Sequence, residues 1–328
     1  LKIKKLPLAG LKFWLVSGAI LMIIGAFIPS RWLRIFTIAA YFAMYAMAWD
    51  LFTGYTGYVN FGPHAIIGLA AYFSVLCSYK GFHRGGIPEG FGLHWPISIT
   101  IPIGIIVAVC IGFLACLPSL KLRGNYFCLF TLAFILAVDG IIITSPVTGG
   151  TRGLFGFPKL IEGELPNYYL SLILMILVGT ILSLIAESKI GIILKAIRMN
   201  EDLVNASGIN ANRYKFIAFL ISLIVWAMGG ALYIHYLGSL SPESVFGITV
   251  LVTIIISTII GGLGSIKGAM LGTYIFYFLT EGVRNVIPHT PTRLISVGTI
   301  GLIVFILMPE GIYGKVMKLA KKWREERI

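Results

Sequence analysis

Charge is scarce in this chain. Of its 328 residues only 12% are Asp, Glu, Lys or Arg, and just 13 of those are acidic. A soluble domain carries roughly 25% charged residues to solvate its surface, so a freely soluble enzyme or binding protein is excluded at the outset. Catalytic patterns are missing as well: there is no G-x-S-x-G elbow, no H-E-x-x-H and no G-x-x-x-x-G-K-[ST] phosphate loop. The nearest approach, Gly261-Gly-Leu-Gly264-Ser-Ile-Lys267-Gly268, lacks the spacing that lets backbone amides wrap a phosphate, so any ATP that drives this protein must be bound by another subunit. Cys77, Cys110, Cys116 and Cys128 lie in or beside apolar segments without a C-x-x-C pair and read as free thiols. His64, His83, His94, His235 and His289 are scattered with no i,i+4 pairing, and no metal site is assigned.

Apolar residues are what the chain has in abundance. They make up 58% of it, and the mean hydropathy is +0.92. Only helices and closed barrels satisfy their backbone groups inside a bilayer, and long unbroken apolar runs exclude the barrel. The reading is an all-α, polytopic transmembrane helical bundle of about ten spans forming a single transmembrane domain over 1–328. Ten segments are candidates for spans: 13 to 29, 33 to 52, 63 to 79, 97 to 118, 125 to 144, 168 to 186, 216 to 237, 245 to 261, 268 to 287 and 293 to 308. The third follows Gly54-Tyr-Thr-Gly57-Tyr-Val-Asn60-Phe-Gly62-Pro63, which leaves a second reading open. In it, the second and third segments are broken or re-entrant helices packed inside the bundle.

The positive-inside rule fixes an orientation. With both termini cytosolic, the inside holds Lys2, Lys4, Lys5, Lys12, Lys121, Arg123, Lys189, Lys195, Arg198, Arg213, Lys215, Lys267 and the six cations from Lys315 to Arg327. The outside keeps only Arg31, Arg34, Lys80, Arg84, Arg152, Lys159, Arg284 and Arg293. The net charge of +13 follows from this bias and suits an anionic inner leaflet; it does not imply nucleic-acid binding. The basic tail, 310–328, reads either as an amphipathic surface helix or as a solvated end. Residues 1 to 29 have a basic start and an apolar run but no small-residue cleavage pattern, so they read as a retained first span.

The polar exceptions carry the functional information. Between two apolar segments lies Glu187 to Phe219, and its part 187–215 reads as a cytosolic loop. Asn200 is placed to N-cap a short helix, Glu201 and Asp202 fall in its first turn, and Gly208 supplies a left-handed C-cap. A plain connecting helix is the alternative. Asp50 and Asp139 fall within spans, where a carboxylate costs about 2.5 to 3.5 kcal/mol. Asp50 either caps a helix break or faces a transport pathway, and Asp139 sits towards an outer interface. Glu281 and Arg284, three residues apart, are placed to neutralise each other. Gly268 and Gly272 form a G-x-x-x-G suited to a close helix crossing, while Gly261, Gly262 and Gly264 suit sharp turns.

Three blocks together resemble the permeases of branched-chain amino acid ABC importers. The first is Ala46 to Phe73, similar to the family's early glycine-broken segment, although Asn60-Phe61-Gly62-Pro63-His64 departs from its usual order. The second joins Gly124-Asn-Tyr-Phe127 and Thr131-Leu-Ala-Phe134 to Thr148-Gly-Gly-Thr-Arg-Gly-Leu154. The third is the loop at 187–215, which resembles an ABC coupling loop without its strict E-A-A start, followed by Gly229-Gly230-Ala-Leu-Tyr233, Ser241-Pro242 and Gly261 to Ser265.

The resemblance implies one permease subunit in a prokaryotic plasma (inner) membrane, translocating Leu, Ile or Val by alternating access. Its implied partners are a sister permease, two cytosolic ATPases that use ATP and Mg, and an extracytoplasmic substrate-binding protein; this chain binds no cofactor itself. Asp50, Gly54, Gly57, Asn60, Gly62 and Asp139 are then the substrate-pathway candidates, and Arg198, Asn200, Glu201, Asp202 and Gly208 the ATPase-coupling candidates. Urea and short amides are the alternative solutes. A stand-alone secondary transporter is the other alternative, but such carriers bear ionisable coupling residues within their spans, and few are present here.

Overall fold

The computed structural model describes residues 8–79, 91, 93–119, 125–284, 298–299, 311–315 and 318. The described chain is almost wholly helical. Its elements are α1 (Leu8–Phe27), α2 (Ser30–Trp49), α3 (Pro63–Ser78), α4 (Ile97–Cys116), α5 (Asn125–Thr144), β1 (Leu154–Phe155), α6 (Glu164–Glu187) and α7 (Lys189–Met199). After these come α8 (Glu201–Ala206), α9 (Ala211–Leu237), β2 (Ser239–Leu240), α10 (Pro242–Phe246), α11 (Ile248–Gly261) and α12 (Ile266–Arg284).

Seven stretches among the described residues are long and apolar enough to cross a bilayer: Gly10–Phe27, Ser30–Gly54, Ile97–Cys116, Tyr126–Thr144, Glu164–Glu187, Ala211–Leu237 and Pro242–Gly261. Their outward faces are apolar, as Phe27 (85% exposed), Leu114 (70%) and Leu136 (65%) show. Large exposed side chains of this kind on successive helices suit lipid and not water.

The sequence-based count of ten spans is larger, for identifiable reasons. The third candidate forms α3, whose 16 residues give it a length of about 24 Å, short of the roughly 30 Å hydrocarbon layer. It is buried at every position except Phe73. The ninth candidate forms α12, which is 19 residues long but is not among the seven. The tenth, 293 to 308, and most of the tail lie outside the described residues.

The chain divides into two compact units. Residues 1–55, 168–195 and 252–328 form the first; 56–167 and 196–251 form the second. In the first unit α2 packs along α12, with Phe36 against Tyr274 and Phe278, and Phe42 against Tyr277. Trp14 of α1 donates its indole N–H to Ser183 of α6 at 2.9 Å, and Tyr168 donates its hydroxyl to the Leu21 carbonyl at 2.6 Å. These bonds fix α1 on α6 where apolar contact alone is not selective in lipid. The expected close crossing at the G-x-x-x-G is present: Gly272 lies against the Ser257 carbonyl and Gly261, and Gly268 lies against Gly261. Glu281 pairs with Arg31 at the start of α2, a partner its own helix did not suggest.

In the second unit α3 is the central element, enclosed by α4, α9, α5 and α10. Tyr72 of α3 stacks on Phe246 with ring centroids 5.6 Å apart. The Ser74 hydroxyl meets His235 Nε2 at 2.6 Å, and His235 Nδ1 lies 2.8 Å from the Pro158 carbonyl, so a buried histidine links α3, α9 and the segment after β1. At the end of this unit β1 pairs antiparallel with β2, Leu154 opposite Leu240. Ser241 then opens α10 through a reciprocal capping box with Ser244.

Gly230 of α9 lies directly against the Ile67 main chain, leaving no room for a Cβ. Gly230→Val forces the α3–α9 crossing apart. The expected cost is about 1–3 kcal/mol, read as a lowered melting temperature of the detergent-solubilised protein. An unchanged melting temperature would contradict the crossing.

Candidate functional site

The bend that follows α2 is where regular helix gives way while still surrounded by protein. From Asp50 to Gly54 the chain widens into one π-helical turn, every residue of it buried. Such turns leave main-chain groups out of the normal ladder and recur at functional positions. The Asp50 carboxylate accepts a hydrogen bond from the Gly264 N–H at 2.7 Å, and Gly54 lies against both groups with no space for a side chain. The glycine-rich loop between α11 and α12 therefore presents a backbone donor to the carboxylate. This role was invisible in the sequence because the two residues are 214 positions apart.

Beside this bend, within the first unit, a cavity of about 180 Å³ is lined by Tyr55, Ser183, Glu187, Lys195, Lys267 and Tyr313, among others. Lys267 reaches Glu187 at 3.4 Å, and the Lys195 ammonium lies 4.8 Å from the centre of the Tyr55 ring. Burial, followed by the Asp50 and Glu187 carboxylates and by Tyr313, pushes the Tyr55 phenol upward. Burial and then Glu187 do the same to Tyr313. Both phenols thus stay protonated donors at neutral pH.

The second unit takes up the chain at Thr56. Gly57 has a left-handed φ of +78°, and a side chain there would press on Arg198. The Tyr58 N–H donates to Thr56 Oγ1 at 3.2 Å, the Phe61 N–H to Thr131 Oγ1 at 3.1 Å, and the Gly62 N–H to Asn60 Oδ1 at 2.7 Å. The last is an Asx-type turn that leads into Pro63 at the start of α3. Asn60 and Gly62 are buried, Gly57 is exposed. A half-open cavity of about 320 Å³ lies against Gly57, Tyr58, Val59, Phe61, Cys128 and Arg198. Of the pathway candidates, Asp50 and Gly54 thus meet in one unit, and Gly57, Asn60 and Gly62 in the other. Asp139 stands apart, half-buried on α5 and about 12 Å along that helix from Thr131.

The coupling candidates gather on α8. Asn200 accepts from the Leu203 N–H at 3.1 Å and caps the helix. Gly208 closes it at φ +80° with open space around it, its N–H donating to the Asn205 carbonyl at 3.0 Å. Outward-facing residues include Met199 (87% exposed), Asp202 and Leu203 (65% exposed), with Arg198 exposed just before them. Glu201 does not share that outer face. It receives the Lys215 ammonium at 2.8 Å and the Tyr58 hydroxyl, and Lys215 lies 4.3 Å from the centre of the Tyr58 ring. Lys215 is only 1% exposed. Neither Lys215 nor Tyr58 was a candidate site residue from the sequence; the one available signal was that each lies within a segment singled out there, Tyr58 in the Gly54–Pro63 stretch and Lys215 at the end of the 187–215 loop.

Comparison with known proteins adds the following. A family model described as the branched-chain amino acid transport system permease component matches residues 31–308. The chain is 24% identical to the high-affinity branched-chain amino acid transport system permease protein LivM of Escherichia coli K12, over 92% of this chain and 74% of that one. It is 24% identical to the corresponding LivH of the same organism, over 85% and 93%. It is 27% identical to the probable branched-chain amino acid transport permease protein LivH of Methanocaldococcus jannaschii, over 54% and 60%. No solved structure matches it.

Asp50→Ala removes the acceptor of the Gly264 N–H. The expected loss is about 1 kcal/mol of stability, the net worth of a hydrogen bond to a half-buried donor, or more where the carboxylate is charged, measured by thermal or denaturant unfolding in detergent. Stability equal to wild type would mean that the carboxylate does not hold the loop.

Proposed function

The chain belongs to the family of branched-chain amino acid transport system permease components, and from that premise we propose that it is one membrane-embedded half of an ATP-driven importer of leucine, isoleucine and valine. The family match across residues 31–308 carries the reading. The names of the relatives favour branched-chain amino acids over urea and short amides. An apolar solute also suits the spans, which are poor in carboxylates: weak apolar contacts and backbone dipoles pass a zwitterion without trapping it.

In this reading the chain sits in a prokaryotic plasma membrane as a single permease domain with about ten spans and both termini cytosolic, as its Lys and Arg distribution favours. The exposed surface of Arg198, Met199, Asp202 and Leu203 on the 187–215 loop, closed by Gly208, docks a cytosolic ATPase. The short exposed helix with apolar side chains supports that assignment. Two such ATPases bind and hydrolyse ATP with its Mg²⁺, a sister permease completes the pathway, and an extracytoplasmic binding protein delivers the solute. The bend from Asp50 to Gly62 lines that pathway, supported by irregular backbone that membranes tolerate only where protein or water satisfies it.

Uptake into vesicles holding the complete transporter and internal ATP tests the proposal. Excess unlabelled leucine is expected to suppress labelled valine uptake, whereas urea and acetamide are not. Urea uptake without leucine competition would overturn the solute assignment.

A further inference from the structure

Lys215 presents an energetic question. A lysine ammonium withdrawn from water costs several kcal/mol unless it is paired and hydrogen-bonded, and well-packed apolar residues often replace such a pair at no loss of stability. Stability alone therefore does not require a charge in the second turn of α9. Its surroundings are specific: Nζ donates to Glu201 Oε1 at 2.8 Å and to the Tyr58 hydroxyl oxygen at 3.2 Å, while that hydroxyl donates to Glu201 Oε2. The Tyr58 ring lies under the ammonium and is backed edge-on by Phe127, which in turn meets Phe219. One buried cation thus joins three segments: the first residue of α8, the start of α9 and the glycine bend.

We infer that Lys215 is a positioning residue for energy coupling, binding the ATPase-docking helix to the glycine bend so that displacement of α8 moves Tyr58 and the 57–62 segment with it. The inference rests on the permease reading above. The geometry supports it in two respects. Glu201, at the start of α8, points away from the exposed surface of Asp202 and Leu203, so a partner engages that surface without breaking the cluster. Tyr58 is itself held in the segment, its N–H donating to Thr56 Oγ1 at 3.2 Å and its ring packed edge-on against Phe127, so it does not move independently of its neighbours. Three mutual contacts with charge-assisted hydrogen bonds make the joint directional, unlike an apolar contact, which slides.

The test uses the assembled transporter in vesicles and reads leucine taken up per ATP hydrolysed. Lys215→Met is expected to lower that ratio by roughly threefold or more, the range over which residues along a coupling route act, with Lys215→Arg lying between it and wild type. A purely structural role would reduce the amount of complex, or uptake and hydrolysis together, and leave the ratio unmoved; that result would overturn the inference. If Lys215→Met fails to assemble, Tyr58→Phe decides, since it removes one hydroxyl and keeps the ring: a lowered ratio supports the joint and an unchanged ratio overturns it. Wild-type vesicles without ATP-driven leucine uptake would overturn the permease reading itself, and the inference with it.

Discussion

From Asp50 to Gly54, and again in parts of the 57–62 segment, the main chain leaves regular helix, and its buried polar groups must be satisfied by the protein. Much of the surrounding sequence answers that requirement. The Gly264 N–H meets Asp50, Thr131 meets the Phe61 N–H, Asn60 folds back on the Gly62 N–H, and Pro63 starts α3 without needing an acceptor for a donor it lacks. Residues far apart in sequence are held to the bend by this need rather than by apolar packing, which in a bilayer discriminates little between arrangements.

The same logic places the charges. Many large apolar side chains are exposed among the described residues, so an ionised side chain either lies at an interface or finds a partner inside. Glu281 takes Arg31, Glu187 takes Lys267, and Glu201 takes Lys215. The third of these is the one that joins a solvent-facing helix to the bend, and it gives the short α8 an inward attachment as well as an outward surface. A transporter powered from outside the membrane requires both.

Local features were readable from sequence and non-local ones were not. The Asn200 cap and the left-handed Gly208 follow from residue types within one short helix, and both are present. The apolar runs of α4, α5, α6 and α9 are equally self-contained. By contrast, Glu201 read as part of a docking surface and Lys215 as one more inside-facing cation, because nothing in the linear pattern shows that Tyr58, 143 residues before Glu201, closes over both. Asp50 posed a similar problem: the donor that its carboxylate accepts from lies 214 residues away. The bounds of α3 were legible, Pro63–Ser78 against an expected 63 to 79, but an apolar run does not reveal whether its ends reach both interfaces.

The central claim is that α8 and the glycine bend move as one body. The most direct test places spin labels at Val59 and Asn205, both exposed, in the assembled transporter and measures their separation by pulsed electron resonance with and without trapped ATP. The account predicts one narrow distance distribution common to both states, broadened when Lys215 is replaced by methionine. A shift of the mean separation between the two states in the otherwise unaltered protein would contradict it.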